Sequence, residues 1–315
     1  MVDKIKPRRG SMGFRPRKRA ATQNVRISWL PEGDKRVMGF AGYKAGMMHV
    51  AYTDQSESPT KGQEVVSAAT VIETPPIIVY GIRCYDSTRS LGDILTTDEK
   101  LLKALNFKNK KTPKAIDEAD MTDVRLLAFA EPNTTSIGKK HVESMEIGIG
   151  GKDAKEKMEY AKTMLGKPLR AKDVFKPGEF IDVIGVTKGK GWQGAVKRFG
   201  VAKQRRKSTN KVRHAGTLGQ WHPAYVLYTI PQAGQTGYHT RTEMHKQVLK
   251  LGDSDKLNEV NPSSGFLNYG FVRNDYIILK GSIPGPAKRL IKLRLSSRPI
   301  PAQETQLTFV SIQPR

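Results

Sequence analysis

The run of 60 residues from Val183 to Thr242 contains no aspartate or glutamate. It carries eleven lysines and arginines together with nine glycines. Apolar residues are too sparse, and the like charges repel too strongly, for such a segment to close a core of its own. A long segment of this kind in a compact domain is normally functional or disordered. We therefore expect a protrusion that folds against a polyanion, whose phosphates supply the missing negative charge.

The composition of the whole chain also indicates a polyanionic partner. The 315 residues carry a formal net charge of +24, the pI is near 10.0, and only 37% of the residues are hydrophobic. Such a charge destabilises an isolated compact state by self-repulsion and is typical of a nucleic-acid-binding chain. No stretch approaches the roughly 18 to 20 apolar residues of a membrane span, and no apolar segment follows the basic N-terminus. The expectation is a soluble, cytoplasmic protein with no membrane partner.

Metal and disulfide chemistry find no support in the cysteine and histidine pattern. Cys84 is the single cysteine, so an internal disulfide is excluded, and its apolar surroundings predict a buried thiol. The six histidines lie at no recognised zinc spacing. In a basic, aromatic-rich loop, histidines such as His214, His222 and His239 more often contact bases or phosphates. We expect no metal.

A catalytic role finds no support either. Gly189–Gly194 matches the G-x-G-x-x-G pattern, but a dinucleotide fold would need a helix and an acidic residue about 20 positions on. Here Gly200 follows within six residues, and no acidic residue appears before Glu243. The acid-free stretch also offers no carboxylate to orient a catalytic histidine. We expect no catalytic residues, no cofactor and no small-molecule substrate.

Outside the acid-free stretch, the pattern predicts a mainly β protein with an α+β insertion. Short apolar runs bounded by Gly and Pro indicate strands of a barrel or sandwich. The segment 91–178 is close to neutral and contains the clearest helix, Asp153 to Leu165, with Asp153 and Glu156 as a capping box and Gly166 as its stop. The predicted organisation is a basic N-terminal arm (1–35), a first barrel part (36–90), an inserted subdomain (91–178), a barrel strand (179–186), a glycine-rich finger (187–250) and a last barrel part (251–315).

Several elements are predicted individually. A second, shorter helix is expected from Asp98 to Asn106. Strands are expected at 64–73, 77–85, 124–130, 145–149, 179–186, 266–272 and 276–280. The alternation around Ile291 to Leu295 places Lys292 and Arg294 on one face of a strand and the aliphatic residues on the other.

Eight stretches of the sequence together carry a family resemblance: Phe180–Gly191, Gly194–Arg198, Gly219–Ala224, Ala233–Thr242, Gly281–Pro286, Leu290–Arg294, Arg8–Ser11 and Arg17–Ala20. Over nearly its whole length, the sequence resembles the universal ribosomal protein L-three family. The insertion and the Trp221-His222-Pro223 form resemble the archaeal and eukaryotic branch, and the shorter chain favours the archaeal type. Gln220 stands where eukaryotic relatives would have Ala.

The resemblance implies a structural, non-catalytic protein of the large ribosomal subunit. Its fold would be a translation-factor-like β-barrel with a long basic finger extension and a basic arm. It would bind large-subunit rRNA directly near its 3′ end, early in assembly, and contact neighbouring ribosomal proteins. The finger tip, Gln220, Trp221 and His222, would approach the peptidyl-transferase centre.

Basic, aromatic and glycine residues suit RNA for separate reasons: cations neutralise phosphates, rings stack on unpaired bases, and glycines let the backbone approach. The expected rRNA-binding residues are Arg8, Arg9, Arg15, Arg17, Lys18, Arg19, Lys188, Lys190, Trp192, Lys197, Arg198, Lys203, Arg205, Arg206, Lys207, Lys211, Arg213, His214, Gln220, Trp221, His222, Tyr238, His239, Arg241, Lys288, Arg289, Lys292 and Arg294. The same charge would serve a non-ribosomal RNA chaperone or a DNA-architectural protein. An enzyme using the glycine loop is a further alternative.

Overall fold

β-strands account for most of the regular structure. The computed structural model describes residues 14–29, 33–105, 121–208, 211–303 and 305–311. The strands are β1 (Gly39–Thr53), β2 (Glu64–Glu73), β3 (Ile77–Tyr85), β4 (Ser90–Leu95), β5 (Asp123–Ala130), β6 (Glu143–Gly148), β7 (Pro168–Leu169), β8 (Phe180–Val186), β9 (Trp192–Gln193), β10 (Gly234–Gln235), β11 (Thr240–Gly252), β12 (Tyr276–Lys280), β13 (Leu290–Leu295) and β14 (Leu307–Val310). The helices are α1 (Glu99–Ala104), α2 (Ala154–Met164), α3 (Ala171–Val174) and α4 (Ala195–Phe199).

The described residues divide into two compact units. The smaller unit comprises 14–22 and Val186–Arg241, and the larger comprises the rest, from Gln23 to Gly185 and from Thr242 onward. In the part of the chain that the structure describes, no helix is long and apolar enough to cross a membrane.

The larger unit is built on a seven-stranded sheet with the strand order β13-β8-β11-β12-β2-β1-β14. The long strand β1 pairs with β2 over most of its length, while its first half pairs with β13 and its second half with β14. β13 therefore has two partners, β1 and β8. The predicted strands 64–73 and 276–280 are confirmed with these bounds as β2 and β12. Apolar residues of both strands lie in the hydrophobic core.

A second sheet in the larger unit has the order β4-β3-β5-β6, with β7 also paired to β3. The strand 77–85 is confirmed as β3, but it pairs with β4, β5 and β7 and not with the strands that precede it. Cys84 lies on β3 with its thiol fully buried, as expected. One core cluster contains buried residues from both sheets.

The predicted helix at 153–165 is confirmed as α2. Met158 and Ala161 are buried on its inner face, and Gly166 ends it with a φ of +78°, a conformation that glycine adopts without steric cost. The predicted capping box does not form, because the Asp153 side chain makes no capping hydrogen bond. Glu156 instead lies 3.8 Å from the Lys35 Nζ. The shorter predicted helix is confirmed as α1, although Asn106 lies outside the described residues.

The predicted strand at 266–272 is wrong. Its only pairing among the described residues is a single bridge between Phe266 and Gly270. Asn268 and Gly270 have φ values of +62° and +100°, which belong to turns and are incompatible with an extended strand.

The strand predicted around Ile291 to Leu295 is confirmed as part of β13, and all six residues of β13 are buried, including Lys292 and Arg294. The Lys292 Nζ donates to the Val25 carbonyl oxygen at 2.6 Å, and the Arg294 Nη1 donates to that of Ser28 at the same distance. The segment around 25–28 thus covers the face on which the basic side chains lie.

Candidate RNA interface

The smaller unit is organised by a backbone ladder between 187–191 and 236–239. The amide of Thr187 donates to the carbonyl of His239, that of Lys190 to Thr236, and that of Tyr238 to Lys188, at 2.9 to 3.2 Å. Gly237 has a φ of +70°, and a Cβ there would lie 2.0 Å from the Lys188 carbonyl oxygen. Only glycine fits this position, so Gly237 permits the close approach of the two segments.

A short hairpin and a helical turn extend this ladder. Trp192 and Gln193 of β9 pair with Gln235 and Gly234 of β10. Helix α4 follows and ends at Gly200, which has a φ of +69°. Arg198, in the last turn of α4, donates from Nε to the Gln235 carbonyl at 3.1 Å and from Nη1 to the Gln232 carbonyl at 3.0 Å.

The N-terminal segment, defined here as 14–22, is held by the same part of the smaller unit. The Ala20 amide donates to the Tyr238 carbonyl at 2.8 Å. The His239 Nδ1 lies 2.9 Å from the Lys18 carbonyl oxygen, and the Arg241 Nη1 donates to the Pro16 carbonyl at 3.0 Å. Backbone carbonyls of the segment thus accept hydrogen bonds from the functional side chains predicted at 239 and 241.

Alternate arginines of the N-terminal segment stack on aromatic rings. The guanidinium carbon of Arg15 lies 4.2 Å from the Tyr228 ring centroid, which is within the range of a cation–π contact. The corresponding distances are 4.8 Å for Arg17 over Phe199 and 5.3 Å for Arg19 over Tyr238. Stacking fixes the plane of a guanidinium group and keeps its N–H donors in a defined direction.

All charged side chains described in the smaller unit are cationic. Its described residues include fifteen lysines and arginines, four in the N-terminal segment and eleven after Val186, and no aspartate or glutamate. Burial, and secondarily the charge of Arg17, lower the pKa values of Arg198 and Arg241 from their usual range. The mutual repulsion of these cations therefore acts within the unit.

The aromatic side chains of the predicted finger are exposed. Trp221 is 87% exposed and Trp192 75%, and Tyr225 and Tyr228 are exposed as well. Only Val186, Ala195 and Gly234 are buried among the described residues of 186–241. Trp221 therefore does not pack against the rest of the extension. The ring of Tyr228 contacts the guanidinium group of Arg15.

The remaining predicted cations of the finger also lie on its surface. Lys188, Lys190 and Lys197 are exposed. So are the basic residues around the loop that follows α4, together with the two polar residues that flank Trp221: Lys203, Arg205, Arg206, Lys207, Lys211, Arg213, His214, Gln220 and His222.

The predicted site residues in the larger unit are less accessible. Lys288 is exposed, whereas Arg289, Lys292 and Arg294 are each less than 10% exposed. Burial of Lys292 and Arg294 counts against the phosphate contacts expected for them. Arg8 and Arg9, predicted in the basic arm, lie outside the described residues.

The structure adds residues that sequence reasoning did not select. Phe14 and Thr236 line a cleft of the smaller unit together with Arg17, Arg198 and Arg241. The Arg-x-Arg-x-Arg spacing from 15 to 19 is a signal that could have indicated an extended, ring-stacked segment. Within the described ranges, no three His, Cys, Asp or Glu side chains lie close enough together to hold a metal ion.

Comparison with known proteins identifies the family. The profile of the family described as ribosomal protein L3 matches residues 3–115 and 99–311. The protein named large ribosomal subunit protein uL3 of Methanothermobacter thermautotrophicus is 45% identical over 328 aligned residues, covering 97% of this chain and 96% of the relative. The proteins of that name from Methanocaldococcus jannaschii and Methanobrevibacter smithii are 45% and 41% identical and cover 93% and 99% of this chain and 92% and 98% of their own lengths.

The chain belongs to the ribosomal protein L3 family. The resemblance seen in the sequence is thereby confirmed, and the relatives that carry it are archaeal. They are named as ribosomal proteins and not as enzymes, in agreement with the expectation of a non-catalytic chain.

Proposed function

We propose that this chain is a structural constituent of the large ribosomal subunit that binds large-subunit rRNA directly near its 3′ end and helps to nucleate assembly of the subunit. Its site of action is the cytoplasmic ribosome, where it also contacts neighbouring large-subunit proteins. The names of the archaeal relatives support the large-subunit assignment. The family resemblance supports the position on the rRNA.

The observation that carries RNA binding is the charge of the smaller unit. Its described residues carry fifteen cations and no carboxylate, so they cannot neutralise one another. Exposed rings at Trp192, Trp221 and Tyr225 add surfaces on which unpaired bases stack. Cations with interleaved aromatic rings suit single-stranded or looped RNA better than duplex DNA, whose bases are read by helices or ribbons in a groove.

The proposed architecture has a translation-factor-like β-barrel, an N-terminal basic arm (1–35) and a basic finger (187–250). The barrel would comprise strands from 36–90, 179–186 and 251–315, and 91–178 would be the inserted α+β subdomain. The pairing of β13 with both β1 and β8 supports the barrel. The ring-stacked arginines of the N-terminal segment support a role for the arm as part of the RNA-binding surface.

The proposed rRNA contacts come from the accessible cations of the arm and finger, with Gln220, Trp221 and His222 as the tip near the peptidyl-transferase centre. An indole that is 87% exposed and lies in the acid-free stretch is suited to stack on a base or wedge against RNA. Lys288 joins this set as an exposed cation of the larger unit.

Salt dependence of RNA binding tests the proposal. The intact chain would be titrated with a fragment from the 3′ region of large-subunit rRNA and with duplex DNA of equal length. If about ten cations meet phosphates, log affinity falls with log salt at a slope of about −7 to −9. Deletion of residues 1–20 should make this slope shallower. A slope near zero would contradict RNA binding, and tighter binding to the DNA would favour a DNA-architectural protein.

A further inference from the structure

A cleft of about 190 Å³ lies within the smaller unit. The guanidinium-bearing side chains of Arg17, Arg198 and Arg241 line it, and the rings of Phe14 and Phe199 form part of its apolar wall. The cleft therefore combines three cations, which attract an anion, with two aromatic side chains.

The three arginines are held in place before any ligand arrives. Arg198 donates to the carbonyls of Gln232 and Gln235, and Arg241 donates to that of Pro16. Arg17 is fixed by stacking on Phe199. Preorganised donors lose little conformational entropy when they bind, which favours affinity.

Convergence of these cations is unfavourable in the free protein. The pKa values of Arg198 and Arg241 are lowered, first by burial and then by the charge of Arg17. A carboxylate partner within the described part of the smaller unit is excluded by its sequence. An anion in the cleft would relieve this repulsion and would do so most effectively where all three guanidinium groups reach it.

A second, independent observation concerns Thr236, one of the residues that line the same cleft. Its Oγ1 is buried and has no hydrogen-bond partner among the described residues. Buried polar groups are normally paired, and an unpaired one destabilises the folded state. A rotation of the Thr236 side chain toward the cleft would let this hydroxyl donate a hydrogen bond to a phosphate oxygen there.

The size of the cleft selects among anions. Pockets for whole small molecules usually measure about 300 to 1,000 Å³, so 190 Å³ is too small for a nucleotide or a typical metabolite. A phosphate group with part of an adjoining sugar is of suitable size, and planar guanidinium groups match phosphate oxygens in pairs.

We propose that this cleft seats one phosphodiester group of the RNA backbone, with Arg17, Arg198 and Arg241 as its cationic partners and the Thr236 hydroxyl as a donor. The inference rests on the RNA binding proposed above and specifies one site within it. The cleft differs from the exposed lysines of the finger because its donors are fixed in direction. An occupied cleft would also tie the N-terminal segment to Thr236.

The sharpest test is Thr236→Val in the intact chain, with affinity measured for the same rRNA fragment. The variant should bind about tenfold more weakly, because one hydrogen bond to a charged oxygen is lost. The thermal stability of the free protein should stay equal or rise, since the hydroxyl has no partner to lose. Thr217→Val is the matched control, because Thr217 is exposed in the same acid-free stretch but outside the cleft. It should change neither quantity.

Arg17→Lys is a second variant that separates geometry from charge. The positive charge remains, so the salt slope should be unchanged, while affinity should fall several-fold because an ammonium group cannot present a planar fork. If the wild type binds the RNA and both Thr236→Val and Arg17→Lys bind it equally tightly, the cleft proposal is overturned while RNA binding stands. If the wild type fails to bind the RNA, both proposals fail.

The amide chemical shifts of Thr236 and Gly237 distinguish the source of the phosphate. Saturable shifts on adding the rRNA fragment, weakened in Thr236→Val, would support the phosphodiester site. Shifts caused by inorganic phosphate but not by the RNA fragment would overturn it in favour of a site for the free anion.

Discussion

The Arg294 Nη2 lies 2.7 Å from the Asp182 Oδ2 in a buried ion pair that joins β13 to β8. The side chain of Asp182 is fully buried, and its carboxylate also accepts hydrogen bonds from the amides of His245 and Ser297. Arg294 in turn donates to the Ser28 carbonyl. One carboxylate thus connects three separate parts of the chain in the larger unit.

Asp182→Ala should therefore destabilise the protein strongly. Removing one member of a buried ion pair leaves an uncompensated charge and typically costs about 3–5 kcal/mol. Denaturant unfolding of the intact chain, followed by a signal of the larger unit, measures the change. Lys172→Ala is the control, because Lys172 and Asp253 form an exposed pair and such pairs contribute little. Similar losses for the two variants would contradict the assigned role of the Asp182 carboxylate.

Lys292 should make stability depend on pH in the alkaline range. Burial lowers its pKa from 10.5 to about 8, although the charges of Glu143 and Glu146 act in the opposite direction. Between these two values the unfolded chain binds a proton that the folded chain does not, so the free energy of unfolding rises with pH from about 8 to 10.5. The full effect is about 3 kcal/mol.

The measurement compares the wild type with Lys292→Met at several pH values, so that other titrating groups cancel. The wild type should gain stability relative to the variant as the pH rises through this window. Lys288→Met, which changes an exposed lysine of the same region, should show a constant difference from the wild type. A constant difference for Lys292→Met as well would contradict burial of the charged group.

Elements of the fold that depend on local sequence were predictable, whereas contacts between distant residues were not. Strands such as 64–73 and the helix at 153–165 were predictable, because their apolar periodicity matches the face they bury. The burial of Lys292 and Arg294 was not, since it depends on carbonyls at Val25 and Ser28, more than 260 residues away in sequence. The alternation of basic and aliphatic residues along a strand does not reveal which distant segment covers its basic face.

The same distinction applies to the candidate site. The acid-free stretch and its aromatic residues indicated an RNA-binding surface directly from composition. The stacking of Arg15 on Tyr228 and of Arg17 on Phe199 could not be predicted, because the stacked residues lie far apart in the sequence. Nor could the position of Thr236, whose residue type is common and whose unpaired hydroxyl only the folded structure makes evident.

Limited proteolysis should separate the acid-free finger from the rest of the chain. Residues 187–242 contribute almost no buried side chains, so local opening costs little there. Trypsin should therefore cut at the exposed basic residues between 203 and 213 long before it cuts at an exposed lysine of a packed element, such as Lys155 of α2. Adding the rRNA fragment should slow only the first cleavage. Equal protection of both regions in the free protein would contradict an RNA-dependent finger.

The finger tip and the basic loop should have separable functions. Stacking of the Trp221 indole on a base contributes about 1–3 kcal/mol, which is small beside the summed phosphate contacts of the chain. Trp221→Ala should therefore still enter large subunits, but it should alter peptide-bond formation or drug sensitivity at the catalytic centre. Replacing Arg205, Arg206 and Lys207 together with alanine should instead impair incorporation, because three exposed cations are lost at once.

Both effects can be measured on purified mutant subunits. Incorporation is measured as the amount of the variant chain in the subunit, and peptide-bond formation is measured with a model acceptor. Trp192→Ala is the matched control, since it removes an exposed indole of the same unit outside 220–222. It should leave peptide-bond formation unchanged. Because the tip acts through one ring and the loop through net charge, the rRNA affinity of the triple variant should fall less steeply with salt concentration than that of Trp221→Ala, which keeps all its cations. Blocked incorporation of Trp221→Ala, with normal assembly of the triple variant, would refute this division of roles.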